Sequence, residues 1–168
     1  QGASIIDIGG ESTRPGAHCI SVDEELSRIV PVIDEIRQRS DVLISVDTSK
    51  AEVMKEVLSL DVAMINDVNA FEAEGALEVV LEASCYLCLM HKRGIPQSMQ
   101  LNPSYYNVVS EVYQYLQQRV QCCIDKGIHR QRLLIDVGFG FGKTVAHNLS
   151  LIKHLPKFFE LDVPMLLA

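Results

Sequence analysis

Short, continuous apolar segments alternate along the chain with longer amphipathic ones. The short segments are rich in Leu, Ile, Val or Met and cover residues 3–8, 42–46, 62–65, 86–90, 133–135 and 165–168. Continuous apolar runs of this length indicate strands that are covered on both faces, as in a parallel sheet. The alternation therefore predicts a repeated strand–helix order and restricts the chain to an α/β fold.

The segments between these strands carry apolar residues at helical spacing. Ser21-x-x-Glu24 and Ser49-x-x-Glu52 match the capping box, which predicts that a helix starts at each of them. Apolar spacing predicts three later helices, over residues 75–82, 109–123 and 147–154.

A polar residue ends each of the first five predicted strands: Asp7, Asp47, Asn66, His91 and Asp136. In a parallel barrel all strand ends lie on one face, whereas a doubly wound sheet collects its ligand groups at one switch point. Five polar ends in series therefore predict a (β/α)8 TIM barrel. Six strands in 168 residues are fewer than the eight strands and about 250 residues of such a barrel. We expect one domain over residues 1–168 that holds about six of the eight units, as a fragment or a processed product.

Charge and hydropathy exclude several classes of partner. The net charge of -7 opposes general binding to nucleic acid or to an anionic membrane, so an anionic ligand needs a local basic cluster. No apolar run approaches the roughly 20 residues of a membrane span, and no charged-then-apolar signal pattern is expected. Five cysteines without framework spacing are expected to be buried, reduced thiols of a cytoplasmic protein rather than zinc ligands or a redox pair.

Each strand-end residue has a structural alternative to a functional role. Asp47 could cap the following helix, although Ser49 is expected to do so. Asp67 is expected to form an Asx turn, and His91, without a recognisable carboxylate partner, is expected to have a loop role. Arg14, between Thr13 and Pro15 in a glycine-flanked loop, suits an anion but could be solvated.

The segment VGFGFGKT at residues 137–144 approaches the phosphate-binding P-loop pattern. Val137 stands where that pattern requires glycine, and no strand offers a convincing magnesium-binding partner. A nucleoside triphosphatase is therefore not predicted.

Five motifs together resemble dihydropteroate synthase, in the order and at the spacing of that family. They are ASIIDIGGESTRPGA (3–17), ISVDTSKAEV (44–53), MINDVNA (64–70), CLMHKRGIPQSMQ (88–100) and IDVGFGFGKTVAHN (135–148). The resemblance runs from one end of the chain to the other. It implies a (β/α)8 barrel that joins 6-hydroxymethyl-7,8-dihydropterin diphosphate to p-aminobenzoate, releasing diphosphate and 7,8-dihydropteroate.

The resemblance also assigns expected roles to residues of this chain. It implies that Asp47 is catalytic and that the pterin is bound by Asp47, Asn66, Asp136, Met90 and Val68. Thr13 and Arg14 are expected to bind the diphosphate. Thr13, Pro15 and Phe141 are expected to border the p-aminobenzoate site, which sulfonamides occupy in this family.

Some features of the family are absent or altered. Val137 replaces the usual proline after the aspartate, which should loosen that turn slightly. The resemblance implies a Mg²⁺ cofactor, but the asparagine linked to it belongs to a first strand expected before Gln1, so no metal ligand is expected here. A Ser-Arg-Lys segment and an eighth strand are expected after Ala168. We therefore expect these 168 residues alone to be inactive.

Two other functions stay open. One is another pterin-binding barrel, a methyltetrahydrofolate-dependent methyltransferase, and the other is a non-catalytic pterin-binding relative. The loop with Thr13 and Arg14 argues against the first, because a methyltransferase needs no diphosphate site. The expected partners are the two small-molecule substrates, without nucleic acid or membrane, and the family's frequent dimers imply a homodimer.

Overall fold

The computed structural model describes residues 2–168, which form one parallel sheet covered on one face by helices. The strands are β1 (Ile5–Gly9), β2 (Leu43–Asp47), β3 (Met64–Asp67), β4 (Tyr86–Met90), β5 (Leu133–Asp136) and β6 (Met165–Leu166). The helices are α1 (Val22–Arg39), α2 (Ala51–Leu58), α3 (Ala76–Val80), α4 (Val108–Asp125), α5 (Val145–Lys153) and α6 (Leu155–Phe158). The predicted alternation of strands and helices is therefore confirmed, with the short helix α6 as an addition that the sequence did not predict.

Strand order decides between the two α/β architectures. Each strand pairs in parallel with the next one along the chain, so the sheet order is β1-β2-β3-β4-β5-β6. A doubly wound sheet would reverse direction at a switch point, and a barrel would not. The sequential order confirms the predicted barrel architecture for these six strands, and β1 and β6 form the edges of the sheet within residues 2–168.

The hydrophobic core lies between the helices and one face of the sheet. Ile44 and Val46 of β2, Leu87 and Leu89 of β4 and Ile135 of β5 are fully buried there. The expectation that strands are covered on both faces is wrong at their amino ends. On the other face, Ile5, Leu43 and Tyr86 are about half exposed among the described residues.

Two helix starts differ in how they are capped. Ser21 accepts a hydrogen bond from the Glu24 N–H, as its motif predicts. Ser49 caps nothing: α2 begins after Lys50, whose side chain makes no capping bond. The Ser49 prediction was wrong because α2 begins one residue later than the motif requires, so Lys50 rather than Ser49 occupies the cap position. Thr144 and His147 form a capping box at α5 that the sequence pattern did not reveal.

Candidate active site

Strand register places the predicted site residues on one face of the sheet. Alternate residues of a strand point to opposite faces, and residues paired across parallel strands share a face. Asp47 pairs with Asn66, and Met90 pairs with Asp136. Asn66 also pairs with Cys88, which lies two residues before Met90, so all these residues belong to the same face. This is the inner face, opposite the helices.

Asp47 and Asn66 are neighbours at the carboxyl ends of β2 and β3. Burial and, to a smaller extent, the negative charges of Asp7, Asp67 and Glu25 together raise the pKa of Asp47 to about 7. The Asn66 Oδ1 atom is buried and has no hydrogen-bond partner among the described residues. A buried amide oxygen without a partner is costly, so this pair is suited to an external donor.

Asp136 ends β5 and is 2% exposed. Its Oδ1 atom accepts a hydrogen bond of 2.7 Å from the Gly138 N–H. Burial raises the pKa of Asp136 to about 6, although this hydrogen bond and the charge of Lys143 oppose the increase. The side chain of Met90 lies beside it in register and supplies an apolar surface.

Lys143 is a site-adjacent residue that the sequence pattern did not identify. Its ammonium group is buried and donates to three backbone carbonyl oxygens, those of Gly138 (2.7 Å), His91 (3.1 Å) and Phe141 (3.1 Å). Burial lowers the pKa of Lys143 to about 7. A P-loop lysine reaches a bound phosphate, whereas this one ties the β5–α5 turn to the end of β4. The geometry therefore agrees with rejecting a triphosphatase.

The glycines of this turn allow two backbone segments to approach each other. Gly138 has φ +65°, and a Cβ there would lie 2.0 Å from the His91 carbonyl oxygen. Gly142 has φ +67°, and a Cβ there would lie 2.2 Å from the Arg93 carbonyl oxygen. Val137 is fully buried in the core. The turn that holds Asp136 thus packs directly on the segment after β4.

The predicted diphosphate residues lie in the loop between β1 and α1. Thr13 lines a small cavity of about 10 Å³ together with Asp47 and Val68, so the structure brings these three residues together. Arg14 is exposed and forms no ion pair with any residue in the range 2–168. The structure therefore does not bring Arg14 into an ion pair with Asp47.

Pro15 and Phe141 lie on different loops that both contact the β4–α4 loop. Next to Pro15, the Gly16 N–H donates to the Pro96 carbonyl oxygen over 3.0 Å. Next to Phe141, the Gly140 carbonyl oxygen accepts from the Gln100 side chain. Pro15 is exposed and Phe141 is partly buried. The β4–α4 loop therefore links the two residues indirectly.

Asp67 has the structural role that its sequence predicts. It lies one residue after Asn66 and therefore faces the helices, where it is fully buried. Its two oxygens accept from the Asn69 N–H (2.8 Å) and the Phe71 N–H (2.7 Å). Ala70 and Phe71 both have positive φ. The Asp67 hydrogen bonds hold this segment in place, together with the Arg119 side chain, which donates to the Ala70 and Phe71 carbonyl oxygens. The Asx-turn prediction is confirmed.

His91 is enclosed by aromatic rings rather than by carboxylates. It is 3% exposed and makes an edge contact with the Tyr115 ring at a centroid distance of 5.0 Å. Burial lowers the pKa of His91 to about 3, so the ring is neutral at physiological pH. This environment agrees with the expected structural role.

The cysteines are all free, but they are not all buried. Cys85, Cys88 and Cys123 are buried, whereas Cys19 is exposed on the β1–α1 loop and Cys122 is partly buried. The prediction of buried thiols is therefore wrong for Cys19, where the loop extends away from the core. In residues 2–168 no group of three or more His, Cys, Asp or Glu side chains is arranged to hold a metal ion.

One cavity lies away from the strand ends. This cavity of about 600 Å³ lies beside the residues that precede β5 and β6, including His129 and Pro164, so it is at the opposite end of the sheet. Among residues 2–168, no helix combines the length and the apolar character needed to cross a bilayer.

Comparison with known proteins identifies the family. The model of the pterin-binding enzyme family matches residues 1–168. The chain belongs to the pterin-binding enzymes. Among curated members, the dihydropteroate synthase of Haemophilus influenzae is 47% identical over 166 residues, which cover 99% of this chain and 60% of that protein. The dihydropteroate synthase of Escherichia coli K12 is 47% identical over 167 residues, with coverage of 99% and 59%.

Solved structures of pterin-binding enzymes share the fold. The dihydropteroate synthase of Yersinia pestis, in a sulfonamide drug complex, has 44% identity and a TM-score of 0.95, covering 99% of this chain and 60% of that one. The Xanthomonas albilineans enzyme with 4-aminobenzoic acid has 45% identity and a TM-score of 0.93, covering 99% and 59%. The chain thus spans about 60% of the length of the relatives it matches, and its predicted resemblance to dihydropteroate synthase is confirmed.

Proposed function

We propose that the protein containing this chain is a dihydropteroate synthase. It would join 6-hydroxymethyl-7,8-dihydropterin diphosphate to p-aminobenzoate and release diphosphate. The observation that carries the proposal is the shared inner face of Asp47, Asn66 and Asp136, next to the loop that holds Thr13. The dihydropteroate synthases among its relatives support the same reaction.

The inner face suits the flat, polar edge of a pterin. The aminopyrimidinone edge presents neighbouring N–H donors, and the Asp136 carboxylate can accept two of them when ionised. Only its Oδ1 atom has a hydrogen bond among the described residues. The unpaired Asn66 Oδ1 atom offers a further acceptor, while Met90 and Val68 would pack against the ring.

The reaction needs positioning and charge stabilisation rather than a catalytic base. The arylamine nitrogen attacks the exocyclic methylene carbon, a C–N bond forms, the C–O bond to diphosphate breaks, and the nitrogen then loses a proton. An arylamine is nucleophilic without prior deprotonation. Asp47 would stabilise positive charge that develops on the pterin, which is the catalytic role proposed for it.

The loops around the strand ends would bind the other reacting groups. Thr13 and Arg14 would hold the diphosphate through a hydroxyl and a guanidinium group. Pro15 and Phe141 would border p-aminobenzoate, with Thr13 between the two sites. Arg14 has no partner that would compete with an anion among the described residues.

Three further features belong to the proposal. The homodimer implied by the resemblance and the cytoplasmic location inferred from the cysteines stay predictions. The Mg²⁺ cofactor also stays a prediction. Residues 2–168 contain no group of three or more His, Cys, Asp or Glu side chains that could hold a metal ion. No step of the proposed reaction is therefore assigned to a metal held by these residues.

The test uses the complete reading frame and follows diphosphate release as p-aminobenzoate is added. The wild type should release diphosphate only with p-aminobenzoate, and Asp136→Ala should lose most of this activity. Asp34→Ala, an exposed residue of α1, is the matched control and should retain it. A folded wild type that shows no dependence on p-aminobenzoate would overturn the proposal in favour of a methyltransferase or a non-catalytic pterin-binding protein.

A further inference from the structure

A partly buried ion cluster joins three elements next to the strand ends. The Lys50 ammonium group lies 2.7 Å from Glu11 Oε2 and also donates to Glu25 Oε2. The Glu25 side chain is 1% exposed, and those of Lys50 and Glu11 are 22% and 21% exposed. Glu11 belongs to the β1–α1 loop, Glu25 to α1, and Lys50 to the β2–α2 loop. We call these three residues the Lys50 cluster.

Glu11 closes the base of the loop that contains Thr13 and Arg14. Its Oε2 atom accepts from the Ile20 N–H over 2.8 Å in addition to Lys50. One carboxylate group therefore holds both ends of residues 11–20. The hydrogen bonds to Lys50 and Ile20 lower the pKa of Glu11 despite its burial, so the carboxylate stays ionised.

Contacts before the loop fix its starting point on α1. A Cβ on Gly10 would lie 2.9 Å from both the Cγ and the carbonyl oxygen of Glu25, so only glycine allows this approach. Arg28 donates to the Gly10 carbonyl oxygen over 2.8 Å. The segment that leads into the loop therefore rests on the same turn of α1 that holds Glu25.

The far side of the loop depends on weaker, exposed contacts. The Gly16 N–H donates to the Pro96 carbonyl oxygen (3.0 Å), and the Gln97 side chain donates to the Ala17 carbonyl oxygen (2.8 Å). Thr13 and Arg14 lie between this side and the base. Their position relative to the sheet is thus determined mainly by the buried base.

The cluster also adjoins Asp47. Glu11, Glu25, Lys50, Thr13 and Asp47 line the same small cavity. Lys50 is the cation among these carboxylates, and without it Glu11 and Glu25 would repel each other and any approaching phosphate. A change at Lys50 should therefore displace the base of the loop.

We propose that Lys50 is a positioning residue, which together with Glu11 and Glu25 fixes the loop of residues 11–20 and so sets where Thr13 and Arg14 lie relative to Asp47. Lys50 itself contacts no substrate in this proposal. The kinetic consequence rests on the proposed function, whereas the effect on the loop does not. Because the loop would bind the diphosphate in the ground state and the transition state alike, its displacement should raise KM more than it lowers kcat.

The first experiment measures amide hydrogen exchange in the product of the complete reading frame, without substrate. Lys50→Met should increase exchange in residues 11–20 by about tenfold and leave β3 unchanged. Lys50→Arg, which keeps the charge, should restore most of the protection. Lys55→Met changes an exposed lysine of α2 and should have no effect. If Lys50→Met does not fold, Glu11→Gln, which leaves the Lys50–Glu25 pair, should give a smaller increase confined to the same loop.

The second experiment measures steady-state kinetics of the same variants. Lys50→Met should raise KM for the pterin diphosphate by about tenfold, with a smaller change in kcat, and Lys50→Arg should recover it. Unchanged exchange in residues 11–20, or a loss of kcat alone, would overturn the proposal. A wild type without turnover but with the expected exchange pattern would contradict the proposed function and leave the role of the cluster supported.

Discussion

Asp47 and Asp67 end neighbouring strands but face opposite sides of the sheet. Asp47 shares the register of Asn66, whereas Asp67 comes one residue later. Asp47 consequently lies on the inner face, and Asp67 lies beneath the helices, where two backbone N–H groups satisfy it. A difference of one residue in register thus separates a candidate catalytic carboxylate from a structural one.

The raised pKa of Asp47 predicts that its ionised carboxylate lowers the stability of the folded protein at neutral pH. Its folded pKa of about 7 lies above the unfolded value of about 3.9, so ionisation destabilises the folded state progressively as pH rises from about 4 to about 7. Asp47→Asn does not ionise and should therefore be more stable than wild type by about 1 to 3 kcal/mol at pH 8, with no difference near pH 4. Its synthase activity should fall sharply.

Urea unfolding of the complete protein at several pH values measures this difference. Asp34→Asn, at an exposed position of α1, is the control and should follow the wild type throughout. A stability difference for Asp47→Asn that is largest near pH 4 would contradict the assigned pKa direction.

Sequence could predict Asp47, Asn66 and Asp136 but not the two lysines nearby. The carboxylate and amide groups follow directly after apolar strands, and that position is visible in the sequence. Lys143 and Lys50 have roles set by partners that are far away in the chain. Lys143 binds the His91 carbonyl oxygen, and Lys50 binds Glu11 and Glu25. No local pattern indicates such contacts.

At the scale of the element, the β5–α5 turn shows why its glycines are spaced as they are. Gly138 and Gly142 both have positive φ and both lie against backbone carbonyl oxygens of the segment after β4. Gly140 also has positive φ, at +80°, but a Cβ there would meet nothing within 4 Å. The same turn therefore contains glycines needed for packing and one needed only for its conformation.

This difference predicts unequal effects of alanine at the two kinds of position. Gly140→Ala should cost only the strain of positive φ, about 1 to 2 kcal/mol. Gly138→Ala adds a Cβ 2.0 Å from the His91 carbonyl oxygen and should cost more than about 3 kcal/mol, because the turn and Asp136 must move. Thermal unfolding of both variants gives the comparison. If both variants lost the same stability, the close approach of Gly138 to the His91 carbonyl oxygen would not be the reason for glycine at this position.

Helix starts show the limit of local motifs at this scale. The Ser21 motif caps α1 as predicted, but the equivalent pattern at Ser49 does not cap α2. The difference lies in where the helix begins, because α2 starts at Ala51 and places Lys50, which pairs with two carboxylates on other elements, at the cap position. Strand positions were more predictable, since each predicted strand overlaps an observed one and β4 agrees at both ends.

At the scale of the whole molecule, the fold could be inferred because its polar residues recur at the same place in each unit. Five strands end on a polar residue, and the sheet order is sequential, so those ends share one edge. Which of the five side chains enter the inner face depends on register: His91 comes one residue after Met90 and therefore does not share the face of Asp136. The barrel architecture was therefore predictable, and the final set of inner-face groups required the structure.

The most direct test of the account is the affinity of the complete protein for 6-hydroxymethyl-7,8-dihydropterin, measured by calorimetry. The inner-face site predicts that Asp136→Ala weakens binding by about 10- to 100-fold, the loss expected for hydrogen bonds to a charged group. Asp41→Ala, at an exposed position before β2, should bind like the wild type. Equal affinity of Asp136→Ala and wild type would contradict a pterin site at the strand ends.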